Sequence, residues 1–169
     1  MWTPHRQVYI DSHHNAAGPP QCPFCAAPGL GPDDSLVAWR GVLVYAVLNL
    51  YPYNSGHLLV CPYRHVADYT CLTEPETAEL AAATQQAMRV LRQVFEPAGF
   101  NLGLNQGAVA GAGVAAHLHQ HIVPRWAGDS NFFPIIAQTR ALPQLLGQTR
   151  DRLAAAWAAL AGEAEGGSR

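Results

Sequence analysis

Three histidines at strict two-residue spacing, His117-Leu118-His119-Gln120-His121, are the residues of this chain with the clearest capacity for chemistry. In an extended strand successive side chains alternate between faces, so this spacing sends all three imidazoles to one side, within reach of one ligand or ion. Three readings follow from the residues themselves: a solvated histidine-rich strand, a three-histidine metal site, or a catalytic cluster. A neutral imidazole is a good nucleophile at phosphorus near neutral pH, and the phosphoramidate it forms divides one displacement into two.

The flanks favour catalysis on a phosphate. Gly107, Gly111 and Gly113 precede the histidines directly, and such a glycine-rich turn can aim backbone N–H groups at an anion. The stretch Gly111-Ala112-Gly113-Val114-Ala115-Ala116 also fits the dinucleotide fingerprint G-x-G-x-x-A. That motif must open a helix, whereas here it opens an alternating strand, which excludes the dinucleotide-fold reading. A second constellation is Cys22-Pro23-Phe24-Cys25. A turn of this spacing presents two thiolates to one tetrahedral ion; free thiols and a redox pair are the alternatives, the latter disfavoured because no thioredoxin-like helix pattern follows Cys25.

The elements that must position these residues can be read from periodicity. Residues 1–35 mix Pro, Gly, Asp, His and Asn without apolar periodicity and read as an irregular arm around the Cys-x-x-Cys turn. Leu36 to Trp39 and Val42 to Leu48 read as a hairpin through Arg40-Gly41, and a turn over 51–56 leads to a third strand, His57 to Pro62. Thr73 and Glu76 have the form of a capping box, and Leu80, Ala83, Ala87, Leu91, Val94 and Phe95 then recur at helical spacing until Pro97 and Gly99. Phe100 to Asn105 and Leu118 to Val123 read as two more strands. Leu142, Leu145, Leu146, Leu153, Trp157 and Leu160 mark one face of a terminal helix, with a small polar tail over 162–169. The order of elements predicts an α+β domain over 36–161 with a mostly antiparallel, five-stranded sheet, one long helix and a C-terminal helix.

Composition narrows the function classes. The 169 residues are 49% hydrophobic and 13% charged, with a formal net charge of −2, enough apolar material for one core and no electrostatic footprint for a nucleic-acid backbone or an anionic membrane. No apolar run approaches the roughly 18–20 residues of a membrane span, so neither a secretory nor a membrane address is expected. Cys22, Cys25, Cys61 and Cys71 could pair, but a domain of this size needs no disulfide staples, and Cys22 and Cys25 have the spacing of metal ligands. Reducing cytosol is the expected compartment.

His117 to His121 resembles the signature of the histidine triad superfamily, in which histidines alternate with apolar residues; Gln120 departs from that pattern. The resemblance spans roughly residues 22–160. It includes Asn49-Leu50-Tyr51-Pro52, Gly56-His57-Leu58-Leu59-Val60 and Asn105-Gln106-Gly107, in the family's order. Ala110-Gly111-Ala112-Gly113, Pro124-Arg125-Trp126, Gly128-Asp129 and Asn131-Phe132 look like the bacterial branch near the fragile histidine triad proteins and the diadenosine tetraphosphate phosphorylases.

The resemblance implies roles. His119 would be the covalent nucleophile within the triad that begins at His117, and His121 and His57 would donate to phosphoryl oxygens. Asn105 and backbone N–H groups of Gly113, Val114 and Ala115 would stabilise charge at phosphorus, and Asn49 would hold ribose hydroxyls. From residue type alone, Asn49 and Asn105 also suit turn capping and His57 suits a core histidine. No side-chain donor stands between Gly113 and Ala116, so phosphate contacts there fall to the backbone. Trp126 reads equally as a wedge at the mouth of the site and as core; Arg125 and Arg140 read as cations for distal phosphates or as solvated side chains. His65 and His117 complete Cys22 and Cys25 in the manner of zinc-bearing branches, giving a closed structural zinc site that ties the arm to the sheet. The implied activity is transfer or hydrolysis at the phosphoanhydride of dinucleoside polyphosphates, adenosine nucleotides foremost, through an AMP-histidine intermediate with phosphate or water as acceptor. A nucleoside phosphoramidase and a zinc-stabilised nucleotide-binding protein without turnover are the alternatives. The family also pairs two sheets edge to edge, which implies a homodimer.

Overall fold

The computed structural model describes residues 22–31, 34–129 and 145–166. Five strands form one sheet: β1 (Val37–Arg40), β2 (Val44–Leu48), β3 (Leu58–Pro62), β4 (Gly99–Leu104) and β5 (Gln120–Arg125). Their order is β1-β2-β3-β5-β4, and every neighbouring pair is antiparallel. Among the described residues three α-helices accompany them: the single turn α1 (Pro23–Ala26), the long α2 (Glu74–Phe95) and the terminal α3 (Leu146–Gly166). The expected α+β architecture is the observed one, with a sheet that is antiparallel throughout.

Alternation along the central strands divides the sheet into two unlike faces. Leu58, Val60 and Ile122 point to the helix side, where they join Leu80, Ala83, Ala87 and Leu91 of α2 and Leu153 and Trp157 of α3. Leu59 and Cys61 point to the opposite side with Tyr45 and Val47. Register then decides where the histidines go: His121 lies opposite Leu59 and Gln120 opposite Val60, so His121 faces away from the helices and Gln120 faces α2. A polar residue is tolerated at Gln120 because its Nε2 donates to the Thr84 hydroxyl at 3.1 Å, and that hydroxyl donates to the Leu80 carbonyl at 2.7 Å. Each large side chain buried in the helix-side core contributes about 1.5–3 kcal/mol, so this layer is the main source of stability holding β3 and β5 in register.

Helix α2 begins where the capping box placed it: the Thr73 hydroxyl accepts from the Glu76 N–H and the Glu76 carboxylate accepts from the Thr73 N–H. It ends at Phe95, with Glu96 in the left-handed region at φ 49°. Arg64 clamps the same carboxylate through Nε at 2.9 Å and a terminal nitrogen at 2.7 Å, which holds Glu76 down to a pKa of about 2. In the second turn of the helix, Glu79 accepts from the N–H groups of Val42 and Leu43 at 2.7 and 2.8 Å and so stitches the β1–β2 turn to the helix layer. Gly56, immediately before His57, sits at φ +75°, and a Cβ there would meet Leu91 at 2.9 Å and Phe95 at 3.0 Å. Only glycine lets the chain pass this close to α2 and turn into β3.

Three expectations need correction. β5 starts at Gln120, so His117 and His119 lie in the segment leading into the strand rather than in it. α3 continues to Gly166, past the point where a tail was expected, because Ala161, Glu163 and Ala164 are good helix formers that outweigh Gly162. Leu145 precedes α3 and is 72% exposed, off the apolar face on which Leu153 is fully buried. Arg140, Leu142, Asn131 and Phe132 fall outside the described residues, as does most of the expected arm.

Candidate active site and metal centre

The site lies on the sheet face opposite α2 and α3, where the lead-in to β5, the start of β3 and the α1 turn converge. His57, His117, His119 and His121 are all buried there, none more than 9% exposed. Their ring centroids form a chain, His57 to His121 at 5.1 Å and His121 to His119 at 5.1 Å.

Partners of fixed polarity assign the tautomers. A backbone N–H can only donate, and Tyr53 N lies 3.1 Å from His57 Nδ1; that nitrogen is therefore an acceptor, and His57 is neutral with its proton on Nε2. His57 Nε2 lies 2.9 Å from His121 Nδ1, so it donates there and leaves the His121 proton on Nε2. On the neighbouring ring, His119 Nδ1 lies 2.8 Å from the His117 carbonyl oxygen, an obligatory acceptor. The His119 proton is thus on Nδ1, and Nε2 carries the lone pair. The outcome is a lone-pair nitrogen on His119 beside an N–H donor on His121, which are the two groups needed to attack an electrophile and to protonate what leaves.

His57 is fully buried and gives its N–H to His121, where the resemblance implied a donor to phosphoryl oxygens. The residue that starts the relay, Tyr53, carried no signal in the sequence because the group it contributes is its backbone N–H. Its ring stacks at 6.0 Å and 5° on His121.

The other expected contacts divide. Asn49, half-buried at the end of β2, accepts from Tyr51 N at 3.0 Å and turns its Nδ2 to His57 Nδ1 at 3.4 Å. It caps a turn and touches the relay at once. Asn105 follows the end of β4 and is half-buried; its neighbour Gln106, not anticipated, joins Asp68 Oδ1 at 2.9 Å and Tyr69 N at 3.1 Å. The glycine-rich loop forms a tight turn over Ala108–Ala110, flanked by Gly107 and Gly111, both at φ +83°. The N–H groups of Ala110, Gly111 and Ala112 are used inside that turn, and Gly113, Val114 and Ala115 form the run up to His117. Trp126 is not brought to the histidines. It follows the far end of β5, about 16 Å along the strand from His121, and its Nε1 donates to the Phe95 carbonyl at 3.3 Å. Arg125 is committed as well: its guanidinium grips Asp129 through two nitrogens at 2.6 and 2.8 Å and Asn101 at 2.7 Å, and it holds the Asp129 carboxyl well below the usual range.

Cys22, Cys25, His65 and His117 come together as one cluster, with all four candidate ligand atoms within 4.8 Å of one another. His117 Nδ1 lies 3.4 Å from each sulfur, and His65 Nδ1 lies 3.2 Å from Cys25 Sγ. Tetrahedral zinc, with bonds of about 2.3 Å to sulfur and about 2.0–2.1 Å to nitrogen, sets its sulfur–nitrogen edges at about 3.6 Å, so the four residues fit that ion. The tautomer of His117 is also the required one. Its Nε2 donates to the Pro62 carbonyl at 2.9 Å, leaving the Nδ1 lone pair toward the sulfurs, and burial lowers its pKa and favours the neutral ring. Desolvation and the adjacent Cys22 raise the pKa of Cys25, a penalty that a cation between the two sulfurs would reverse. Cys61 is a core residue, fully buried, and Cys71 is exposed.

Comparison with known proteins bears on this geometry. A family model described as the HIT domain matches residues 33–128. The chain belongs to the HIT domain family. It is 51% identical over 163 residues to a Mycobacterium tuberculosis protein named AP-4-A phosphorylase, covering 94% of this chain and 84% of that one. It is 36% identical over 108 residues to the bifunctional bis(5'-adenosyl)-triphosphatase/adenylylsulfatase FHIT of Arabidopsis thaliana, covering 62% of this chain and 59% of that one. Among solved structures, a zinc-bound histidine triad family protein from Mycobacterium smegmatis superposes with a TM-score of 0.69 at 30% identity, over 85% of this chain and 97% of that one.

Proposed function

We propose that this HIT protein cleaves the phosphoanhydride of dinucleoside polyphosphates, diadenosine tetraphosphate foremost, through an adenylyl group carried on His119. The observation that carries the reading is the opposed pair of tautomers: the lone pair on His119 Nε2, set by the His117 carbonyl, next to the N–H on His121 Nε2, set through His57 by the Tyr53 N–H. The name of the M. tuberculosis relative supports the substrate class.

In the first step His119 Nε2 forms a bond to the α-phosphorus, the bond from phosphorus to the bridging oxygen breaks, and the electron pair leaves with the polyphosphate half. His121 Nε2–H supplies a proton to the departing oxygen, with His57 keeping its ring in register. Backbone N–H groups of Gly113, Val114 and Ala115, with Asn105, steady the charge gathering on the phosphoryl oxygens, and Asn49 meets the ribose. In the second step phosphate or water attacks the same phosphorus and gives a proton to His121 Nε2, while the phosphorus–nitrogen bond breaks and its electron pair returns to His119 Nε2. Phosphate as acceptor converts diadenosine tetraphosphate to ADP and ATP; water gives AMP and ATP. The glycine-rich loop, with no competing side chain between Gly113 and Ala116, leaves room for phosphate.

Zinc held by Cys22, Cys25, His65 and His117 belongs to the same reading as a closed structural ion. Thiolate ligands suit a reducing compartment, for which we take the cytoplasm; among the described residues no helix is long and apolar enough to cross a membrane. A homodimer joined edge to edge would cover the half-exposed strand β4.

Product analysis after incubation with diadenosine tetraphosphate, with and without phosphate, tests the reading, together with mass spectrometry of quenched enzyme. An adenylyl adduct on His119 and no turnover by His119→Ala are expected. Wild-type turnover in His119→Ala would overturn the mechanism; AMP in place of ADP in excess phosphate would overturn only the acceptor.

A further inference from the structure

Phe24 stands between the two cysteines of the metal cluster, yet its ring lies on the nucleophile. The centroids of Phe24 and His119 are 4.7 Å apart with the planes tilted by 35°, and Phe24 meets His117 edge-on at 5.6 Å. The backbone of Phe24 is held independently of the cysteines, because its carbonyl accepts from the Tyr45 hydroxyl at 2.6 Å. Tyr45 is fully buried in β2, and burial pushes its phenol far above the ordinary range, so the hydroxyl remains a donor.

We infer that Phe24 is a positioning residue for His119, an assignment that rests on the reading of His119 as nucleophile. The physical reason is the shape of imidazole. Half a turn about the Cβ–Cγ bond exchanges Nδ1 with Cδ2 and Nε2 with Cε1, which would put a C–H where the lone pair must be and would break the bond to the His117 carbonyl. To make that turn, the ring must sweep through an orientation perpendicular to its present plane. A phenyl ring packed at 4.7 Å stands in that path and must be displaced first. Phe24 cannot withdraw easily, since Cys22 and Cys25 anchor the turn on either side and Tyr45 anchors its centre. The metal cluster thereby acts on the chemistry through one side chain: fixing the turn fixes Phe24, and Phe24 fixes which atom His119 presents.

Phe24→Leu, Phe24→Tyr and Tyr45→Phe in the full chain test this, none of them a metal ligand. For Phe24→Leu, kcat on diadenosine tetraphosphate is expected to fall roughly ten- to fifty-fold, with KM changed less than about threefold, as misplacing a reacting atom predicts. Phe24→Tyr, which restores the flat ring, is expected to recover most of kcat, and Tyr45→Phe to fall in the same direction by a smaller factor. Side-chain nitrogen NMR at one fixed pH gives a readout separate from activity. The Nδ1–H signal of His119 is sharp in the wild type and broadens or splits in Phe24→Leu, with zinc content and melting temperature retained. Unchanged kcat and an unchanged signal in a zinc-loaded Phe24→Leu overturn the assignment, and so does a rise in KM at constant kcat, which makes Phe24 a substrate contact. If Phe24→Leu loses its metal or fold, Tyr45→Phe decides by the same two readouts. Absence of turnover in the wild type refutes the functional reading, while the NMR comparison still decides the role of Phe24.

Discussion

Replacing His57 by phenylalanine removes both ring nitrogens of the relay while keeping a flat, buried ring of similar size. Three groups lose their partner: the Tyr53 N–H, bonded at 3.1 Å, Asn49 Nδ2 at 3.4 Å, and His121 Nδ1, which accepts at 2.9 Å. His57 is fully buried, so the orphaned N–H costs about 1–3 kcal/mol of stability, a fall of roughly 2–10 °C in melting temperature for a domain of this size. The effect on rate follows from His121. A hydrogen bond contributes about 0.5–1.5 kcal/mol net, and at about 1.4 kcal/mol per factor of ten its loss reduces the correctly oriented fraction of His121 up to about tenfold. Weakened proton transfer to the leaving oxygen adds to this, since general acid catalysis contributes about 10²–10⁴-fold in full. We expect kcat on diadenosine tetraphosphate to drop between about ten- and a hundredfold, with KM nearly unchanged if His57 acts through His121 as proposed. Steady-state kinetics alongside a thermal melt reads both quantities. A folded His57→Phe protein with wild-type kcat would refute the relay, and a large KM effect with kcat preserved would return His57 to direct phosphate contact.

Three further expectations concern the frame around the site. The protein should contain one zinc per chain and Cys22→Ser should lose most of it; metal analysis showing no zinc in protein purified without chelator, or a full complement in the variant, rejects the ligand set. Glu76, held at a pKa of about 2 by Arg64 and the Thr73 N–H, lies below its unfolded value of about 4.3. Its contribution is therefore fully present above that value and declines as pH falls toward 2; Glu76→Gln should flatten the acid limb of the stability curve between about pH 5 and 2, and parallel curves would contradict this. Light scattering at micromolar concentration should give the mass of a dimer, and a monomer mass would exclude the edge-to-edge pairing of β4.

The capping box at Thr73 and Glu76, the helical spacing from Leu80 to Phe95 and the short apolar run of β3 were legible in the sequence because each depends on residues a few positions apart. The histidine spacing and the pair Cys22 and Cys25 announced chemistry for the same reason: short-range geometry places such groups together wherever the chain goes. Long-range contacts have no such local trace. That His65 joins Cys25 across 40 positions and His117 joins Cys22 across 95 was implied by family likeness and not by any periodicity. The backbone N–H of Tyr53 and the carbonyl of Phe24 could not be read at all, since every residue carries such groups and only the fold aims them. Trp126 shows the converse: the sequence left it evenly between the mouth of the site and the core, and an extended strand carries the chain about 3.3 Å per residue away from its start. The sequence by itself therefore determined which side chains could do chemistry and which elements would carry them. Tertiary structure decided which nitrogen of His57, His117, His119 and His121 bears the proton, because that depends on the polarity of partners that the fold brings to each ring.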